Sequence, residues 1–231
     1  MMSRPKQAIP KIIYCGTTNR RLAQIAVSAG FLFGCRLPCN LPDDLPPLYF
    51  SDQNWRKPQP QLYARGVKRY RPTMATITDI ESCVQLPSVI DEAHAISAYV
   101  AEIIIIPKCS GVIDKLPNIV NDTRIILGYS VPTRYGGTSI DLIAFRGWPV
   151  HLLGGSVLRQ ISIFRNVRDT EIVSVDCNEH AKTAIYGEYY TRLGQRKQLS
   201  RGAGMYQAFA SSCASIVYMW HSIDSYQLTL W

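Results

Sequence analysis

The chain lacks any apolar run long enough to cross a bilayer. A spanning helix needs about 20 apolar residues, and the longest run here, AEIIIIP (101–107), is the size of a strand. Its first residues, MMSRPKQAIPK, hold no apolar core of signal-peptide length. Both absences predict a cytoplasmic chain with no membrane partner. Cys-x-x-Cys is missing as well. The nearest approach, Cys35-x-x-x-Cys39, has no second pair, so no metal is expected. Seven cysteines, an odd number in 231 residues, predict reduced thiols and not a disulfide framework. The Gly-x-Gly-x-x-Gly turn of dinucleotide-binding sheets is absent, because YCGTTNRR after the first β-rich run has one glycine, which counts against such a sheet. There is no fixed-period repeat and no low-complexity linker. Charged residues are scarce at 18% against 47% hydrophobic, which describes a globular chain.

The charge that is present leans one way. Lys and Arg number 25 against 17 Asp and Glu, a net of +8. That balance favours a polyanionic partner, nucleic acid first; an inert basic surface is the plainer alternative. The cations gather in two stretches, NWRKPQPQLYARGVKRYRP (54–72) and YYTRLGQRKQLSRGAGMY (189–206). Arg56, Lys57, Lys68, Arg69, Arg71, Arg192, Arg196 and Lys197 are candidate phosphate contacts. Interleaved aromatics suit stacking on bases, with Trp55, Tyr63 and Tyr135 as candidates.

Short β-rich runs recur at 11–16, 48–52, 74–79, 102–108, 124–130, 149–155 and 171–176. Several are apolar on consecutive positions, as in strands buried on both faces. Helical patterns fall at 18–31, 60–70, 87–101, 156–167 and 204–223. Strand–helix alternation implies a parallel sheet in one domain, 1–231. An open doubly wound sheet and a (β/α)8 TIM-like barrel both fit; the missing glycine fingerprint favours the barrel, complete or trimmed. Its eighth strand is expected between 184 and 203. PQLYARGVKRY (60–70) reads as a basic amphipathic helix and LPDDLPPLYF (41–50) as an irregular loop.

Catalytic groups in such folds collect at the C-terminal strand ends. Those ends offer Asp52, Asp79, Lys108, Gly128-Tyr129-Ser130, His151, Gly154-Gly155-Ser156 and Asp176-Cys177-Asn178. A single strand-end Asp is commonly a turn or helix cap. Three converging on one mouth, beside a Gly-Gly-Ser, indicate a site. Gly154-Gly155-Ser156 permits close backbone approach and an anion at a helix N-terminus, although Ser156 can equally be the cap of its helix. His151 is a core histidine or a site residue. His180, just after Asp176, could reach a substrate, and YGGTS (135–139) reads as a mobile loop.

This order of strand-end residues, across roughly 48–187, resembles the tRNA-guanine transglycosylases, and most of all their phage and bacterial relatives that place 7-deazaguanine bases in DNA. The resemblance implies a (β/α)8 barrel. It makes Asp176 in SVDCN the nucleophile, Asp52 in YFSDQN the general acid/base and Asp79 in TITDIE the base-recognition acid. It also places Gly128 and the Leu153, Gly154 and Gly155 backbone around the base, while Tyr129, His151, Ser156 and Asn178, from the same strand ends, remain candidate substrate contacts. Lys108 stands where the family has glutamine. The family's Cys-x-Cys-x-x-Cys zinc subdomain has no counterpart, which favours the DNA-acting branch over tRNA.

The expectation is exchange of a DNA guanine for a 7-deazaguanine base through a covalent aspartyl–sugar intermediate, with no cofactor, in the host cytoplasm if the chain is phage-encoded. DNA is the expected macromolecular partner and RNA the lesser one. A DNA glycosylase or nucleosidase on the same barrel, a non-catalytic nucleic-acid-binding barrel, and a sugar-phosphate isomerase or aldolase are the competitors.

Overall fold

The computed structural model describes residues 7–134, 136–167, 169–200 and 204–223. Its centre is a closed barrel of eight parallel strands: β1 (Lys11–Gly16), β2 (Leu32–Leu37), β3 (Phe50–Gln53), β4 (Met74–Thr76), β5 (Glu102–Ile105), then, past a short β6 (Ile119–Val120), β7 (Thr123–Ser130), β8 (Pro149–Leu153) and β9 (Glu171–Cys177). Each pairs with the next, β5 pairs with β7, and β9 closes on β1. The fold is an α/β TIM-like barrel. β6 pairs antiparallel with the first residues of β7.

The four consecutive isoleucines explain why periodicity alone is ambiguous here. Ile104 and Ile106 point into the barrel with Ile13, Cys15, Phe50, Met74 and Ile126. Ile103 and Ile105 point out into the larger core between barrel and helices. Successive side chains alternate faces, and in a closed parallel barrel both faces are dry.

The helices form where apolar stripes and caps coincide. In α1 (Arg20–Ser28), Asn19 caps by accepting from Leu22 N at 3.1 Å, and Leu22, Ala23 and Ala26 are buried. Gly30 then turns the chain at φ +103°, a conformation that favours glycine. α2 (Pro60–Tyr70) starts on its proline and α3 (Leu86–Ser97) carries one in its first turn, where the missing N–H costs nothing. α4 (Val157–Asn166) buries Val157, Gln160, Ile161 and Phe164. α5 (Glu179–Ala184) is short, and α6 (Met205–His221) closes over it. No α-helix separates β2 from β3, where the proline-rich loop runs, nor β5 from β7.

One expectation is corrected. The eighth barrel strand is β2, not a segment of 184–203. LFGCRL follows α1 with only Ala29, Gly30 and Phe31 between, so no cluster of turn residues marks its start. The 184–203 region instead holds an antiparallel hairpin, β10 (Glu188–Tyr190) and β11 (Arg196–Gln198), packed outside the barrel against α5 and α6. Among the described residues no helix is long and apolar enough to cross a membrane.

Candidate active site

At the N-terminal end of the barrel a polar layer closes the interior. Lys11 lies 3.8 Å from Glu102, and Arg124 lies 3.8 Å from Glu102 and 3.9 Å from Glu171. Above it the apolar layers fill the centre up to Cys15, Ile106 and Leu153. A Cβ at Gly128 would meet Ile106 and Leu153 at 2.6 Å, so Gly128 clears space for these side chains and does not floor an open pocket.

The other end, where the strands finish, carries the acids. Burial pushes the Cys15 thiol well up from its ordinary value, and the nearby negative charges of Asp52 and Asp176 add to the rise. Asp176 is held from three sides. Its Oδ1 accepts from Gly154 N at 3.1 Å and lies 3.3 Å from His151 Nε2. Its backbone carbonyl accepts from Gln160 Nε2 at 2.7 Å, and the same amide donates to Gly154 O at 2.8 Å. His151 is fully buried, with Nδ1 2.7 Å from Ser174 Oγ. Each ring nitrogen of His151 thus faces a side-chain oxygen, Nε2 that of Asp176 and Nδ1 that of Ser174.

Asp52 is set differently. Burial raises its carboxyl to about 7, the nearby negative charge of Asp176 adds to the rise, and Arg36 opposes it. Arg36 Nη2 is 3.2 Å from Asp52 Oδ2, and Thr76 Oγ1 is 3.4 Å from Oδ1. Asp79 also raises Asp52, so the three acids share one end of the barrel. Asp79 itself pairs with Lys108 at 3.4 Å, both side chains largely buried. Burial raises its carboxyl, and Lys108 works against that. The acid expected to recognise a base is therefore already engaged by Lys108.

Other expected site residues fall elsewhere. Tyr129 is outward-facing, because Gly128 before it faces in; it packs edge-on against Phe145. Ser156 caps α4 by accepting from Arg159 N at 3.3 Å. Gly155, at φ +74°, sits where a Cβ would meet Val131 at 2.6 Å. Gly155 thus packs tightly on Val131, and the Gly154 N–H is spent on Asp176. Leu153 O accepts from Val131 N, while its side chain packs on the barrel interior. Asn178 is exposed just before α5. His180 belongs to the core: it stacks on Phe209 at 5.0 Å, and burial lowers its imidazole to about 3. With the Cys177 thiol pushed well up, the 3.7 Å approach of Cys177 Sγ to His180 Nδ1 is no nucleophilic dyad. The segment read as a mobile loop is tethered by Thr138, buried and donating to Pro107 O at 3.3 Å.

The cations divide between the two ends. Arg56, stacked 5.0 Å over the exposed Trp55, and Lys57 follow β3 and stand at the mouth. Lys68, Arg69 and Arg71 end α2, which runs back down the barrel, so they stand at the far end. There Lys68 and Arg71 each lie 5.7 Å from the centre of the Tyr99 ring. Arg196 is paired with Glu179. Arg192 lies 4.6 Å from the centre of the Tyr218 ring, and Lys197 is exposed on the hairpin. Tyr63 is buried, its hydroxyl on Ser51, and cannot stack on a base. Tyr135 lies outside the described residues.

Sequence reasoning missed Arg36, Ser174 and Gln160. Arg36 went unseen with β2. Gln160 did leave a signal: it is the polar member of the buried stripe 157, 160, 161, 164. Among the described residues no three His, Cys, Asp or Glu side chains gather as a metal site.

No curated protein matches the chain. A solved structure described as an NAD-dependent epimerase/dehydratase from Methylobacillus flagellatus is 12% identical over 78% of this chain and 69% of that one, with a TM-score of 0.23, too low to bear on fold or function. A family model does match, over residues 26–221. The chain belongs to that family, the family of unknown function DUF6610.

Proposed function

We propose that the chain is a glycosyl-transfer enzyme that breaks a base–sugar bond with an aspartate pair, Asp176 as nucleophile and Asp52 as acid/base. The observation that carries this reading is the asymmetry of the two carboxyls at one mouth. Asp176 accepts hydrogen bonds suited to a carboxylate, whereas Asp52 is raised to about 7 and can hold a proton at neutral pH. Two acids with environments that push them apart are the usual means of assigning acid and nucleophile.

In the first displacement an Asp176 oxygen bonds to C1′ as the C1′–N bond breaks. The bond's electron pair leaves with the base, and Asp52 delivers its proton to it. In the second, an incoming base attacks C1′, gives its proton to Asp52 and releases Asp176. The form we propose is exchange of guanine for a 7-deazaguanine base in DNA. It draws on the net charge of +8, on Trp55 and Arg56 beside the mouth, and on the strand-end order. The filled barrel centre requires the target base to be extruded onto the mouth.

The test is to incubate the protein with guanine-containing DNA, with and without 7-deazaguanine bases, denature it and measure its mass. A protein–DNA adduct is expected in wild type and absent in Asp176→Ala. An adduct that survives Asp176→Ala, or none under either condition, overturns the assignment. The Asp79–Lys108 pair favours a second outcome, hydrolysis, since it leaves Asp79 less free to select an incoming base. Abasic product without added base would identify it.

A further inference from the structure

Four of the seven cysteines stand in two close pairs, and both pairs belong to segments at the mouth. Cys35 and Cys39 have their sulfurs 4.0 Å apart, but Cys35 is buried. Cys83 and Cys109 have theirs 3.7 Å apart, with Cys83 exposed and Cys109 half-buried. Only the second pair is open to a reagent.

Its geometry is held by the backbone beneath it. Ile80 N donates to Ile106 O, and Lys108 N donates to Ile80 O, each at 2.9 Å. The Asp79–Lys108 ion pair lies alongside. On the Cys83 side a capping box fixes the turn: the Gln85 side chain accepts from Glu81 N at 2.8 Å and Ser82 N at 2.9 Å. Two chain segments tied together next to a pair of thiols, one of them in a fixed turn, need only a small shift to bring 3.7 Å to the roughly 2.05 Å of a sulfur–sulfur bond.

We propose that Cys83 and Cys109 form a redox modification site on the rim of the mouth, a dithiol that reacts with a low-molecular-weight disulfide and closes into a bond joining the loop after β4 to the loop after β5. One thiolate attacks the small disulfide, forming a mixed disulfide and releasing one small thiol. The other thiolate then attacks the protein sulfur of that mixed disulfide and releases the second small thiol. The protein pair loses two electrons and two protons, and the small disulfide gains both. The new bond pins the segments that carry Asp79 and Lys108. The site itself does not depend on the glycosyl-transfer reading.

The test uses the full chain in glutathione buffers of rising disulfide fraction, acid-quenched, alkylated and peptide-mapped. A cross-linked Cys83–Cys109 peptide is expected before any other cysteine escapes alkylation, with the loss of two titratable thiols. In Cys83→Ser, Cys109 is expected to stop at a stable glutathione adduct. Separate glutathione adducts on both cysteines of wild type, or prior oxidation of Cys35–Cys39, would overturn the proposal. Hydrogen exchange of residues 79–85 and 106–112 supplies the second readout. It slows on oxidation of wild type and does not respond in Cys83→Ser; unchanged exchange in the cross-linked protein overturns the pinning of the rim. Neither measurement reads turnover, so it can fail while base exchange succeeds, or the reverse.

Discussion

His151, sealed inside the barrel, turns Nε2 to Asp176 Oδ1 at 3.3 Å and Nδ1 to Ser174 Oγ at 2.7 Å. A buried imidazole satisfied at both nitrogens orients the carboxylate without itself reaching the surface. Positioning of this kind predicts that Ser174→Ala and His151→Asn both weaken the protein, by about 1–3 kcal/mol for each hydrogen-bonding partner left unsatisfied. Urea unfolding midpoints check this. His151→Asn should also slow adduct formation while Asp176 remains the modified residue; an unchanged rate of adduct formation would remove His151 from the site.

Asp52 makes stability depend on pH. Its carboxyl is at about 7 in the folded protein and near an ordinary 3.9 or so when unfolded. The folded chain holds this proton more tightly, so the contribution is complete below about pH 4 and is lost as pH rises through about 7. Wild type should lose unfolding midpoint between pH 5 and 8, and Asp52→Asn should lose less. Arg36→Gln, which removes the charge opposing the rise, should move the transition to higher pH. Activity should fall along the same limb, because the acid must be protonated.

Asp79 and Lys108 should behave as one unit. Their side chains are only 13% and 12% exposed, so removing either leaves a poorly solvated charge. Asp79→Asn and Lys108→Gln should each destabilise, and the double variant should cost less than their sum, with a coupling of about 0.5–3 kcal/mol. Additive single effects in a double-mutant cycle would mean the pair is solvent-screened.

Gly155 is required twice over, by its φ of +74° and by Val131, 2.6 Å from any added Cβ. Gly155→Ala should therefore cost at least the roughly 1–2 kcal/mol of a left-handed L-residue. Val131→Ala on that background should relieve the contact but not the backbone. Thermal unfolding of the two variants separates the parts.

The division of cations predicts unequal effects on nucleic acid. Arg56→Ala and Lys57→Ala at the mouth should weaken DNA binding and lower the salt dependence by about 0.9 per lost phosphate contact. Lys68→Ala and Arg71→Ala, at the far end, should leave base exchange unchanged. Equal losses from both sets in a salt titration would require DNA to wrap the barrel's side.

The sequence by itself determined the alternation of strands and helices, the double-faced burial of EIIII, the Ser156 cap and the placement of acids at strand ends. These depend on local spacing and on residue types that act over a few positions. Arg36 was hidden because a single glycine, Gly30, and no cluster of turn residues precedes β2. The far-end position of Lys68 and Arg71 was hidden because a helix in a barrel returns against its strands, which charge clustering does not reveal. The decisive feature was tertiary. Where β8 meets β9 the register slips by one, so His151 pairs with Ser174 and Leu153 with Asp176. Without that extra residue the strand's two-residue period would turn Val175 inward and Asp176 away from the mouth. Only the pairing of two strands decides which face an alternating sequence presents, and here it decides that Asp176 stands beside His151.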